Sequence, residues 1–421
     1  MQARLQFGCV GDEPARPRVA PVEEQRRVRA IVSVGDQVLG AAPVFTVDSP
    51  WWPDVEPVTQ RLDAMLGVPT AVLRLVDVVG GQPPRGGQVT YHVEVSAAPV
   101  MPVTLDDVEP GVLRPEPLRA AWAERGGPAA ILAWADAELA RRGRPRTGPP
   151  VQVKTWNLSC VHRLPTARGP VWSKVVGAFQ RCESVPVGAV AGVDPTLVPV
   201  VVAADPGSNR TLLDHVPGVD LWQAGEHTVR MTVTRWVAAQ AMLAAVPVAV
   251  PDLRLETLAD RVAPVLDRVA GQLAFAERGA VATLLAGLPR RIAAIREAGL
   301  PDTLVHGDFH PGNWRAVDGG PARVVDWADS YLGHPAADLL RLRRYLPDAR
   351  RAAADSAWTE AWRTAVPGSD PGTVIPLFAP LVHLHGAYVY QRFLDHIEPA
   401  EQPYHRDDPA AELRAALSAG R

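Results

Sequence analysis

The 421-residue chain is 47% hydrophobic and carries a formal net charge of −3. Its length suggests two or three domains, and the near-neutral balance gives no electrostatic footprint for nucleic acid or an anionic membrane. No apolar run reaches the length of a membrane span, residues 1–21 lack the apolar core of a secretory signal, and Cys9, Cys160 and Cys182 have no metal-ligand spacing, so a reducing cytoplasm is the expected setting.

Residues 1–29 are rich in Pro, Arg and Glu and predict a flexible segment. Residues 30–150 predict an accessory α/β unit. Within it, Gly35-Asp36 is a hairpin signal between strands over 30–34 and 37–39. An amphipathic helix is expected over 55–66, stopped by Gly67, and paired strands over 70–76 and 88–95. This order resembles a Nudix-type arrangement. The helix offers only Glu56 and Asp63 where that family has a Glu-rich metal site, so independent hydrolase chemistry is not expected. The stretch 120–141 is rich in helix, and 142–150 is a Gly/Pro/Arg linker. Trp51, Trp52, Trp122 and Trp134 read as core or interface residues.

Residues 151–155, 161–164 and 170–176 predict three consecutive strands. Lys174 lies inside the third, where an ammonium is costly unless it is paired or snorkels from a strand edge. Of the 43 basic residues only Lys154 and Lys174 are lysines. A lysine kept against this arginine background points to a need for an ammonium. Stretches 198–205 and 211–218 predict a hairpin that ends in a Pro-Gly stop. Apolar residues then recur at helical spacing over 228–244, 258–273, 281–288, 292–300, 336–345, 350–365 and 375–394.

Among these helices lies His306-Gly307-Asp308-Phe309-His310-Pro311-Gly312-Asn313, followed by Val325-Asp326-Trp327. A loop Asp, an Asn five positions on and a second Asp match the needs of phosphoryl transfer. One carboxylate takes the acceptor hydroxyl's proton, while an amide oxygen and a second carboxylate hold Mg²⁺. Strands over 314–317 and 322–325, around Asp318-Gly319-Gly320, predict a hairpin that turns Asn313 and Asp326 toward each other.

These motifs, with Gly333-His334-Pro335 and Asp338-Leu339 downstream, resemble the signature of the aminoglycoside phosphotransferase and choline kinase group, in the protein kinase-like superfamily. The resemblance covers residues 151–421. It implies an α+β, bilobal kinase-like fold, with a β-rich N-lobe over 151–215 and a mainly helical C-lobe over 216–421. Asp308 is then the catalytic base, His306 supports the catalytic loop, and Asn313 and Asp326 are the Mg²⁺ ligands. Asp338 braces the loop, and Lys174 holds the nucleotide phosphates, steered by Glu183, although Pro186 is expected to interrupt the helix after it. Asp214, His215 and Val216 stand where the hinge binds adenine through the backbone. Ser159 stands in the loop that covers the phosphates, or in an ordinary hairpin turn.

Acceptor candidates are Asp329, Tyr331, His383, His385, Tyr388, Gln391 and Asp395. The acidic Asp395, Glu398, Glu401, Asp407 and Asp408 either attract a cationic acceptor or form a solvated tail. The expected function is a small-molecule kinase that moves the γ-phosphate of ATP or GTP to a hydroxyl of an aminoglycoside-like or metabolite acceptor. The alternatives are a nucleotide-binding regulatory module and a protein kinase; no Ala-Pro-Glu follows Asp326 to favour the latter.

Overall fold

The computed structural model describes residues 25–420. Most of the expected flexible segment, residues 1–24, lies outside the described residues, and a strand already begins at Arg26. The N-terminal unit contains β1 (Arg26–Val34), β2 (Gln37–Ala41), β3 (Phe45–Val47), α1 (Glu56–Leu66), β4 (Thr70–Val79) and β5 (Gln88–Val95). Its sheet runs β2-β1-β5-β4, with β3 also on β1. The expected hairpin and the β4–β5 pair are both present. Val58, Leu62 and Leu66 recur every fourth residue and bury one face of α1 in this unit's core, beside Trp52 and Tyr91. Gly67 ends α1 at φ +70, a left-handed cap that a side chain would strain. Glu56 pairs with Arg163 at 2.8 Å and Asp63 accepts from the Thr70 N–H at 2.7 Å, so both acids of α1 serve packing.

α2 (Gly127–Arg141) was expected in the accessory unit but packs elsewhere. Ala135 and Leu139 lie on Leu164, Val171, Ala203 and Leu212 of the next sheet. An apolar sheet face must be covered, and α2 covers this one. That sheet holds β6 (Val151–Thr155), β7 (Ser159–Leu164), β8 (Val171–Val176), β9 (Val201–Asp205) and β10 (Arg210–Asp214) in the antiparallel order β6-β7-β8-β10-β9. Between β8 and β9 runs α3 (Ser184–Val193). Pro186 does not interrupt it. It falls in the first turn, where the N–H has no partner within the helix.

The helical lobe follows. It comprises β11 (Val219–Asp220), α4 (Glu226–Leu243), α5 (Leu258–Arg268), α6 (Phe275–Ala286), α7 (Leu288–Glu297), β12 (Thr303–Val305), β13 (Trp314–Ala316), β14 (Arg323–Val324), β15 (Tyr331–Gly333), α8 (Ala336–Arg343), α9 (Asp348–Ala365), α10 (Pro371–Leu394) and α11 (Asp408–Ala419). Every predicted helix appears, and α11 is an addition. α10 is long and apolar enough, by length and composition, to cross a membrane, contrary to the expectation that no run reaches that length. Here it packs against α5, α7, α8, α9 and α11.

The N-terminal unit is stitched to the C-terminal segment. The Leu75 N–H donates to Glu401 at 2.7 Å, and Trp52 and Trp156 meet the Tyr404 ring edge-on at 5.4 and 5.6 Å. Glu398 pairs with Arg74 at 3.2 Å and with Arg119 at 3.3 Å. Glu398 and Glu401 are therefore buried in packing rather than offered to a cationic acceptor. Burial pushes the Glu401 carboxyl up to about 8. The tryptophan expectation holds for Trp52, and for Trp122, which donates to the Trp156 carbonyl at 3.1 Å.

Candidate active site

The loop that carries Asp308 leaves β12, which pairs antiparallel with β15. Asp338, in the first turn of α8, accepts from the His306 N–H at 2.9 Å and the Gly307 N–H at 3.0 Å. It also accepts from Trp236 Nε1 at 2.8 Å and Gln240 Nε2 at 3.2 Å. This is the expected brace. Gly307 lies at φ +86, and a Cβ there would meet the Asp329 carbonyl at 2.3 Å, so the turn demands glycine.

His306 is fully buried. It bonds the Val325 carbonyl through Nε2 at 3.1 Å and accepts the Asp308 N–H at Nδ1, 3.2 Å. Burial lowers its pKa to about 4, so it is a neutral tie between the loop and the hairpin.

Asp308 is 4% exposed and fully engaged. Arg341 donates to Oδ1 from Nε at 2.9 Å and Nη2 at 2.7 Å. His310 Nε2 and Asn313 Nδ2 approach Oδ2 at 3.3 and 3.1 Å. Burial alone would raise this carboxyl, but His310 and Arg341 outweigh it and hold the group well below the usual carboxylate range. The sequence reading missed both partners. A signal for Arg341 existed: it stands three residues after Asp338 on α8, hence on the same helix face. His310 lies in the motif itself, stacked on Trp222 at 5.1 Å.

The hairpin β13–β14 forms as expected, pairing Trp314 with Val324. The Val325 N–H then donates to the Asn313 carbonyl at 2.9 Å, which brings Asp326 back beside the loop. Asn313 gives Nδ2 to the Asp308 carbonyl at 2.9 Å as well as to its carboxylate, and its Oδ1 is buried without a partner. A buried amide oxygen left over next to a carboxylate is a hard donor set that suits Mg²⁺. Asp326 sits at φ +67 in the left-handed region. Such strain costs about 1–3 kcal/mol and is characteristic of functional positions.

Across the cleft, Lys174 Nζ lies 2.7 Å from Glu183 and 2.5 Å from Asp326. Burial would lower the lysine's pKa, but the two carboxylates outweigh it, so Lys174 stays charged. The paired alternative for Lys174 is the one realised, and Glu183, just before α3, is its partner. Lys154 lies over the Trp156 ring at 4.9 Å. Ser159 begins β7 and accepts from Trp156 Nε1 at 3.0 Å; it lines a narrow cleft with Lys174 and Asp326. At the expected hinge, Asp214 pairs with Arg144, His215 Nδ1 accepts from Trp172 Nε1 at 3.1 Å, and the Val216 carbonyl accepts from Arg315 at 3.2 Å.

A cavity of about 640 Å³ opens above Asp308. Asp329, Tyr331 and His385 line it with Asp308. Burial, with Asp308 and Asp326 nearby, pushes Asp329 up to about 6. His383 instead pairs with Glu412 at 2.7 Å, Tyr388 lies under Arg261, and Gln391 and Asp395 line a separate surface pocket. The helical repeat explains the split. Val382, His385, Gly386, Val389 and Phe393 share one face of α10, and His383 and Gln391 lie off it. Asp407 and Asp408 do line the cavity.

Residues 188–373 match the model of the phosphotransferase enzyme family. The resemblance read from the sequence therefore holds over the segment with the catalytic loop and the hairpin. No curated protein matches the chain. Among solved structures, choline kinase LicA from Streptococcus pneumoniae is 12% identical, with 69% of this chain and 99% of that one covered at a TM-score of 0.52. A choline/ethanolamine kinase family protein from Mesorhizobium loti is 18% identical (69% and 99% covered, TM-score 0.44). The macrolide 2'-phosphotransferase MphH from Brachybacterium faecium is 19% identical (66% and 97% covered, TM-score 0.44). The first of these likenesses establishes the fold: a β-sheet lobe and a helical lobe of the kinase-like type, preceded here by an extra N-terminal unit.

Proposed function

We propose that this chain, whose residues 188–373 match the phosphotransferase enzyme family, is a small-molecule kinase that moves the γ-phosphate of ATP or GTP to an acceptor hydroxyl. Asp308 orients that hydroxyl and takes its proton. The carboxylate stays ionised because Arg341 and His310 favour its charge. Asn313 and Asp326 would hold Mg²⁺, which when bound neutralises charge on the phosphates. Lys174 would hold the α- and β-phosphates, with Glu183 keeping the ammonium in place. Catalysis then rests on positioning and charge neutralisation, with no covalent intermediate.

The observation that carries this reading is Asn313. Its amide nitrogen is spent on Asp308, and its oxygen is buried with no partner at the point where the hairpin returns Asp326. The test incubates the protein, Mg²⁺ and γ-labelled ATP or GTP with pooled hydroxyl compounds, with Asp308→Ala and Asp326→Asn alongside. Label should reach an acceptor with the wild type and with neither variant. Asp326→Asn should also weaken Mg²⁺-dependent nucleotide binding by at least about tenfold. Wild-type turnover in either variant would remove the mechanism.

A further inference from the structure

The catalytic lobes do not enclose the cavity above Asp308 by themselves. Its far wall is Gln82, Pro83, Pro84 and Arg85, from the loop between β4 and β5 of the N-terminal unit. We propose that this unit is an acceptor-recognition domain, and that its loop selects a large hydroxylated acceptor with an apolar ring face over a small amino alcohol. The proposal rests on the kinase reading and adds to it what the accessory unit does.

The loop is built as a rigid tip. Gln82 and Arg85 exchange backbone hydrogen bonds at 2.9 and 2.6 Å, with two prolines between them. Gly81 and Gly87 flank the tip at positive φ, and a Cβ on either would strike backbone within 2.7 Å. The base is tied down by the Gly86 N–H on the Pro50 carbonyl at 2.8 Å and the Trp52 N–H on the Pro84 carbonyl at 2.9 Å. Trp52 Nε1 adds a bond to the Gly86 carbonyl at 2.8 Å, and the Arg85 guanidinium lies over the Trp51 ring at 5.4 Å. The same Trp52 packs against Tyr404, which also lines the cavity. Loop and floor are therefore one packed body, so the wall exists before an acceptor arrives, and binding loses little to ordering it.

Size and lining give the acceptor class. Pockets of about 300–1,000 Å³ take drug-sized ligands, and this one holds about 640 Å³. Half-buried Tyr390 and the almost fully buried Trp156, Phe393 and Tyr404 make part of the lining aromatic, while Asp329 and Arg341 offer polar ends near Asp308. An amino alcohol of a few heavy atoms would leave most of that volume unfilled.

The test uses the full chain with Mg²⁺ and γ-labelled ATP. One acceptor pool holds aminoglycosides, macrolides and nucleosides; the other holds choline, ethanolamine and glycerol. Label is expected in the first pool. At subsaturating acceptor, Gln82→Trp, which fills the cavity, and Arg85→Ala should each reduce the ratio of labelled acceptor to free phosphate about tenfold or more. Arg61→Ala, on the exposed face of α1, should keep the wild-type ratio. An equal loss in Arg61→Ala would mean general damage to the domain and overturn the proposal. So would wild-type labelling of the second pool, full labelling by both loop variants, or label in neither pool. The kinase reading fails separately, if nucleotide binding does not depend on Asp326.

Discussion

In the catalytic loop, the buried carboxylate of Asp338 gathers two backbone N–H groups, an indole and an amide, and so fixes the turn that carries Asp308. In the N-terminal unit, the buried guanidinium of Arg26 does the mirror-image task. Its terminal nitrogens donate to the carbonyls of Ser49, Trp51 and Asp54, the chain on which the Gln82–Arg85 tip rests. Each is a charge used as a brace and offset by the hydrogen bonds it makes, although Arg26 Nε is buried without a partner. The two regions differ in what remains over. Beside Asp338 the structure keeps an ionised Asp308 and an unpartnered Asn313 oxygen. Beside Arg26 it keeps a shaped wall. A buried charge therefore marks a well-fixed backbone, and what singles out the candidate site is the unpartnered Asn313 oxygen beside the Asp308 carboxylate.

The largest effect that could break this contrast is at Asp308. Asp308→Asn should lower kcat by roughly 10²–10⁴-fold, the range for general-base work, with nucleotide affinity kept when measured by calorimetry. Asp338→Ala leaves four donors without their shared acceptor. At about 1–3 kcal/mol for an orphaned buried group, it should lower the thermal midpoint strongly, whereas Arg26→Met should lower stability but leave nucleotide affinity intact. If Arg26→Met abolished nucleotide binding, the division of labour would fall.

A finer prediction concerns pH. Arg341 and His310 hold Asp308 well below the usual range, so the acid limb of the rate profile should lie at low pH. Arg341→Met removes one of the two, and the limb should move toward the ordinary carboxylate value of about 3.9. A last effect, on stability alone, is at Glu401. Its folded pKa is raised from 4.5 to about 8, so the folded state disfavours the charge. Its contribution to stability is full below 4.5 and is lost as pH rises through about 8. Glu401→Gln should flatten that decline in a series of unfolding midpoints.

Much of the catalytic loop could be read in advance because its logic is local. Asp308, Asn313 and Asp326 lie within nineteen positions, and the hairpin that joins them has its turn residues in sequence. Lys174 and Glu183 were also readable, since a strand lysine in an arginine-rich chain needs a partner. Arg341 could have been found by helical spacing. The cavity over Asp308 could not, because its walls come from residues 82–85, 156, 180–181, 251–253, 307–344 and 382–412, brought together only by tertiary packing. The Leu75–Glu401 bond alone spans 326 positions, and no periodicity encodes it. The face of α10 was half readable: the helix was clear, but which residues turn inward depends on where its neighbours sit.

The left-handed backbone at Asp326 has a consequence for which substitutions the position can tolerate. Glycine enters that region freely, and aspartate and asparagine at less cost than other side chains. A library of all amino acids at this codon, scored separately for abundance and for activity, should thus fall into three groups. Aspartate would be abundant and active. Asparagine and glycine would be abundant but inactive, because they keep the bend and lose the carboxylate. The remainder would be depleted on both scales.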